Sequence, residues 1–293
     1  MRLVVISGRS GSGKSSALHV LEDLGFYCID NLPIGLLPAL AEQAEADDKL
    51  TQVAVSIDAR NLSTGGDPID QILLSLPNEQ YQLDVVYLDA SEQVLLQRFS
   101  ATRRKHPLTN HELSLAEAID REKALLSPVA NMADMTLDTT HMSVHELRSL
   151  IRLRVVEKPT GDMSILFQSF GFKHGIPVDA DYVFDVRHLP NPFWDISLRS
   201  LTGLDPEVQS FLSSHSVVHD MQASISGFLK QWVGHLIDAN RSYMTIAVGC
   251  TGGQHRSVYL AEQLAAEFQQ AYSNVQIRHR ELARAAALPK ADV

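Results

Sequence analysis

The sequence predicts an α/β protein built on parallel sheets. Three observations carry that prediction. β-branched apolar runs alternate with helical patterns five times over the first half of the chain. The first run, Val4-Val5-Ile6, passes directly into a glycine loop and then into an amphipathic helix. The second half repeats the arrangement, with a strand over 244–248, a glycine turn over 249–257 and a helix over 258–268.

The first loop is Gly8-Arg9-Ser10-Gly11-Ser12-Gly13-Lys14-Ser15, which fits G-x-x-x-x-G-K-[ST] at every fixed position. Glycines 8, 11 and 13 let the backbone curl and turn its N–H groups inward, where they cradle phosphate oxygens. The helix that follows, with Ala17, Leu18, Leu21 and Leu24 on one face, adds its positive N-terminal end. Lys14 is placed to bridge the outer phosphates, and the Ser15 hydroxyl to sit on Mg²⁺. Residues 8–15 are therefore the candidate ATP site of a P-loop NTPase domain, a parallel sheet with helices on both faces.

Gly25 ends the helix, residues 26–29 form a second strand, and Asp30 falls at its carboxyl end, where open α/β sheets place ligands. A helical pattern over 34–50 leads to a third strand over 51–57 that runs into Asp58-Ala59-Arg60-Asn61. An apolar strand ending in Asp is the Walker B arrangement, whose carboxylate holds Mg²⁺ directly or through water. The strand over 85–89 has the same form, so Asp89 competes with Asp58. Asp89 is followed by a helix over 91–99 and the basic cluster Arg98, Arg103, Arg104, Lys105 and His106. That cluster reads as a lid loop in the manner of small P-loop kinases, or else as a solvated basic loop. The metal role then goes to Asp58, which with Lys14 forms the catalytic pair. A fifth strand over 132–138 and a helix over 143–155 complete the domain, predicted as 1–156. A breaker-rich linker, 157–162, separates it from a second α/β domain, 163–293.

In the second domain, strand-like runs occupy 165–187 and helical patterns 205–214 and 221–239. The turn at 249–257 repeats the physics of the first loop without its lysine. Thr251, Gly252, Gly253, His255 and Arg256 are the candidate ligands of a single phosphate ester, Arg256 in bidentate fashion. Cys250 to Arg256 also fits the C-x-x-x-x-x-R-[ST] loop of cysteine phosphatases. Near the end of the chain Arg278, Arg280, Arg284 and Lys290 form a weakly basic segment, the candidate RNA contact.

Composition limits the alternatives. A net charge of −10 and a pI near 5.6 argue against a globally basic nucleic-acid binder. Two cysteines, Cys28 and Cys250, indicate no disulfide framework and suit a reducing compartment. No apolar run reaches membrane-spanning length, and a cytoplasmic location is expected.

Taken together the motifs resemble the RapZ (YvcJ) family of bacterial nucleotide-binding proteins. The carrying stretches are GRSGSGKS at 8–15, GFYCIDNLP at 25–33, SIDARN at 56–61, SFGFKHGIP at 169–177, DADYVFDVR at 179–187, LPNP at 189–192 and GCTGGQHRSVYLAE at 249–262. The resemblance implies an ATP- and GTP-binding protein with weak hydrolysis, in which Asp58-Ala59-Arg60-Asn61 matches a second, GTP-binding segment. Some members of the family present small regulatory RNA to an endoribonuclease. In that branch the C-terminal domain resembles a phosphofructokinase sugar-phosphate site, responds to an aminosugar phosphate and assembles into homo-oligomers, which the resemblance implies here. That branch ends in a dense Lys/Arg cluster, which here is diluted with alanines over 284–290. A P-loop small-molecule kinase, with Asp30 positioning the acceptor, is the alternative from the enzyme class.

Overall fold

The computed structural model describes residues 1–46, 50–61, 69–76, 82–103, 105–109, 113–156, 163–239 and 241–287. The chain divides into two compact units, Met1–Glu157 and Lys158–Val293.

The first unit contains β1 (Arg2–Gly8), α1 (Lys14–Asp23), β2 (Tyr27–Ile29), α2 (Leu37–Glu45), β3 (Gln52–Ser56) and α3 (Ile69–Ser75). It continues with β4 (Gln82–Asp89), α4 (Glu92–Thr102), α5 (Leu115–Met132), β5 (Met135–Asp138) and α6 (Val144–Ile151). The five strands form one wholly parallel sheet in the order β2-β3-β1-β4-β5. Strand β1 is central and buried from Leu3 onward, as a near-continuous apolar run requires when both faces are covered. Leu3, Val5, Val53, Val55, Val85 and Tyr87 pack on one face with Leu37, Leu73 and Leu126 of α2, α3 and α5. The alternate residues turn to the other face, where α1 and α6 pack against each other.

Two boundaries differ from the sequence reading. Residues 115–132, given no element there, form the longest helix of this unit, and Met132 is its last residue rather than the first of a strand. Ser114 and Glu117 close a capping box at its start, each side chain bonding the other's backbone N–H. That box, S-x-x-E before an apolar pattern, is the signal that marks the helix. Helix α4 runs past the expected end at 99 to Thr102 and carries Arg98; Arg103 follows in the left-handed region at φ 51°, and Arg104 lies outside the described residues.

The second unit contains β6 (Ser164–Gly171), β7 (Tyr182–Asp185), α7 (Pro206–Ser213), α8 (Ser216–Asp238), β8 (Tyr243–Cys250), α9 (Arg256–Phe268), β9 (Val275–His279) and α10 (Arg280–Ala287). Its sheet is parallel throughout, in the order β7-β8-β6-β9. Strands β6 and β8 are buried along their whole length, and Phe167 meets Phe268 of α9 edge-on at 5.3 Å. The segment 275–279, expected as part of a basic end, is the edge strand β9.

Candidate functional site

The first glycine loop joins β1 to α1 at the carboxyl end of the sheet. Gly8, Gly11 and Gly13 adopt φ of 141°, 85° and 111°, the positive range that only glycine enters freely. Gly8 has a further constraint, since a Cβ there would lie 2.1 Å from the Leu88 carbonyl oxygen.

Four carbonyl oxygens of the loop are held by identified donors. Lys14 Nζ donates to Gly8 O at 2.7 Å and Ser12 N–H to Arg9 O at 3.0 Å. Arg98 Nη1 donates to Gly11 O at 3.0 Å, and Thr139 Oγ1 to Ser12 O at 2.8 Å. Arg9 itself is clamped: its Nε donates to Asp89 Oδ1 at 2.6 Å and its Nη2 to Ala90 O. With the carbonyls anchored, the N–H groups of the first turn of α1, which lack intrahelical acceptors, are left to face an anion. Ser15 is exposed at that turn.

Lys14 Nζ also lies 2.9 Å from Asp58 Oδ1. β3 pairs directly with β1, so the strand-end carboxylate reaches the loop lysine. Arg60 takes the other oxygen of Asp58 at 2.8 Å. Burial pushes the Asp58 carboxyl up, but Lys14 and Arg60 outweigh it and hold the group below the usual carboxylate range. Ala59 is buried, and Asn61 Nδ2 donates to the carbonyl oxygens of Asn31 and Leu32. The segment 58–61 is thus tied to the loop after β2 and, through Asp58, to the glycine loop. Asp30, exposed at the end of β2, accepts from the Ser56 hydroxyl.

Sequence reading passed over Glu122, on α5. The residue is buried (0% exposed), and its oxygens accept the Ser10 N–H at 2.8 Å and the Ser10 Oγ–H at 2.6 Å. His106 Nε2 lies 3.1 Å from the same carboxylate. Burial pushes Glu122 up, but the His106 and Ser10 bonds and the charge of Lys14 bring it below the ordinary range.

In the second unit, the connections leaving β6 and β8 run in opposite directions across the sheet, the arrangement at whose strand ends open α/β sheets place ligands. Gly171 and the glycine turn meet there. A Cβ on Gly171 would lie 2.8 Å from the Gly252 carbonyl carbon, and one on Gly253 would lie 2.6 Å from the Gly171 nitrogen. Thr251 is exposed and Gly252 half-buried at the rim, while the Gly253 N–H donates to Cys250 Sγ at 3.2 Å. Ser257 Oγ lies 3.1 Å from that sulfur. Arg256, expected to clasp a phosphate, is instead buried to 5% and donates from Nη1 to the carbonyl oxygens of Arg187 at 2.6 Å and Leu189 at 3.1 Å. It fixes the loop after β7. His255 is also buried, and burial is the main cause that moves its pKa down.

Arg280 has other partners than the RNA expected of it. Arg280 is 7% exposed, donates to Glu281 Oε1 at 2.9 Å and to the Gly175 carbonyl oxygen at 2.6 Å, and stands over the Phe170 ring at 5.4 Å. A guanidinium so engaged is part of the unit's framework rather than its RNA-facing surface. Arg278 is half-buried on β9; the side chain of Arg284, like residue Lys290, lies outside the described residues.

A central parallel strand that empties into this glycine loop, with a lysine paired to the carboxyl end of the neighbouring strand, defines a P-loop α/β protein, here carrying a second parallel α/β unit. Residues 1–158 match the RapZ-like N-terminal domain and residues 163–283 the RapZ C-terminal domain. The chain belongs to the RapZ family. A protein of Marinobacter nauticus named "Nucleotide-binding protein" is 56% identical over 285 residues, 96% of this chain and 97% of its own. A relative of the same name from Hahella chejuensis is 51% identical over 286 residues, 97% of this chain and all of its own. Among solved structures, shikimate kinase from Bacteroides thetaiotaomicron aligns over 51% of this chain and 94% of its own, at 14% identity and a TM-score of 0.37.

Proposed function

We propose that the protein is a regulatory nucleoside triphosphate-binding protein with slow hydrolysis. ATP sits with its phosphates on residues 8–15, and the neighbouring segment 58–61 takes part when GTP is bound. The observation that carries this reading is the 2.9 Å Lys14–Asp58 pair. It brings the cation for the outer phosphates and the carboxylate for a metal to one point beside anchored loop carbonyls. The Ser15 hydroxyl and the ionised Asp58 are hard oxygen donors of the kind Mg²⁺ takes, alongside waters and phosphates. When bound, Mg²⁺ would neutralise charge on the phosphate chain. Lys14 would then leave the Gly8 carbonyl for the phosphates while Asp58 stays charged. The curated names of the relatives support nucleotide binding. The second reading, a small-molecule kinase, rests on the exposed Asp30 at the same edge of the sheet; a metabolite-dependent burst of ADP would favour it.

For the second unit the reading is a phosphosugar sensor at the carboxyl ends of β6 and β8. Thr251 and Gly252 line the rim, Arg256 and His255 support the loop, and an RNA-adapter role uses surfaces other than Arg280. Calorimetric titration of the full chain with ATP and GTP tests the first unit. Lys14→Ala is expected to lose most of the affinity while the fold is kept. Unchanged affinity in a folded Lys14→Ala protein overturns the assignment.

A further inference from the structure

We propose that Glu122 is an internal competing anion of the glycine loop: it holds Ser10 in place and, by its charge, weakens the loop's grip on a phosphate chain. The proposal rests on the phosphate-binding reading of residues 8–15.

The loop is built to take anions, and it already touches one. Glu122 engages the N–H and the hydroxyl of a single loop residue with two separate oxygens, at 2.8 and 2.6 Å, and its side chain is only 1% exposed. Ser10 lies 112 residues away in sequence, so α5 brings the carboxylate here from outside the motif. The third partner is His106. Its Nδ1 accepts the Leu108 N–H at 3.1 Å, so the ring proton resides on Nε2 and is donated to Glu122. A ring with one proton is neutral, and the Glu122–His106 pair therefore carries a net charge of −1.

Among the described residues the hydrogen-bond partners of Glu122 are Ser10 and His106, neither of which cancels its charge. The cation within electrostatic reach is Lys14, already paired with Asp58. A buried charge is poorly screened, so a phosphate chain entering the loop is repelled by Glu122 in proportion to its own charge. A tie that only fixed the loop's shape would carry no such dependence.

The test uses the full chain with ATP, ADP, AMP and inorganic tripolyphosphate as probes, titrated calorimetrically against wild type and Glu122→Gln. The glutamine keeps the three contacts: its oxygen accepts from the Ser10 N–H and from His106, and its amide donates to Ser10 Oγ, which reverses that one bond. The charge is removed while the contacts stay. Affinity should rise on the order of tenfold for ATP and tripolyphosphate, less for ADP and hardly at all for AMP. Glu122→Met, which removes the bonds as well, should still raise the ratio of ATP to AMP affinity. An unchanged or lowered ratio in both variants overturns the proposal. If tripolyphosphate shows the gain and no nucleotide binds, the nucleotide reading fails and the competing anion stands. If no probe binds wild type or variant, both fail.

Discussion

Arg98 on α4 donates from Nη1 to the Gly11 carbonyl oxygen at 3.0 Å and from Nη2 to the Thr139 carbonyl oxygen at 2.6 Å. One guanidinium thus joins the tip of the glycine loop to the end of β5. Arg98 is half-buried, and the charge-assisted bonds of so placed a group are worth about 1–2 kcal/mol in stability rather than the larger buried value. Arg98→Ala should lower the thermal midpoint by a few degrees. It should also weaken nucleotide binding in the presence and absence of Mg²⁺ alike, since it frees a loop carbonyl to turn inward. Nucleotide affinity equal to wild type would show that the loop keeps its shape unaided.

The two strand-end aspartates should separate by their metal dependence. Asp89 is bound to Arg9 and to its neighbour's N–H, and faces the loop as a structural acceptor. Asp58 faces Lys14. Measured with and without Mg²⁺, Asp58→Asn should erase most of the metal's contribution to ATP affinity. Asp89→Asn should shift both values together. The reverse pattern would exchange the two roles.

Acid should loosen the first unit through its carboxylates. Asp58 and Glu122 are both held below their ordinary values of about 4, so the folded state keeps them ionised at pH where the unfolded chain takes up protons. Their stabilising contribution is full above about pH 4.5 and is lost as pH falls through the depressed folded values. Thermal midpoints taken from pH 7 to pH 3 should fall along this limb, and more gently for Glu122→Gln than for wild type. Superimposable curves would remove Glu122 from the account.

His255 works in the opposite sense from a salt-bridged histidine. Burial lowers its folded pKa below the unfolded value of about 6.5, so protonation favours the unfolded chain. Its neutral form supports the second unit fully above about pH 6.5, and that support declines as pH drops below it. His255→Asn should flatten the stability profile of the full chain between about pH 6.5 and 5. A profile as steep as wild type would assign the slope to other groups.

What the sequence made legible follows sequence distance. The loop 8–15 and the strand-end Asp58 are readable because fixed spacing and a strand–loop–helix context are local properties. Glu122 and Thr139 are not, because they reach the loop from 112 and 127 residues away through the packing of α5 and β5. Charge misled where it was read by composition alone. Arg98, Arg256 and Arg280 look like ligands for phosphate or RNA, yet each spends donors on backbone carbonyls. Arginine suits that task because its fork can serve two oxygens at once. Only the placement of the carbonyls, a tertiary fact, distinguishes the two uses.

The close approach of Gly171 and Gly253 has a consequence for how this protein can diverge. The backbone of one forms the wall against which a side chain on the other would strike. A substitution at either position therefore finds no relief in a substitution at its counterpart, because enlarging both deepens the conflict. Each position is held to glycine by main-chain atoms of the other's turn, so a larger residue at either requires the ends of β6 and β8 to move apart.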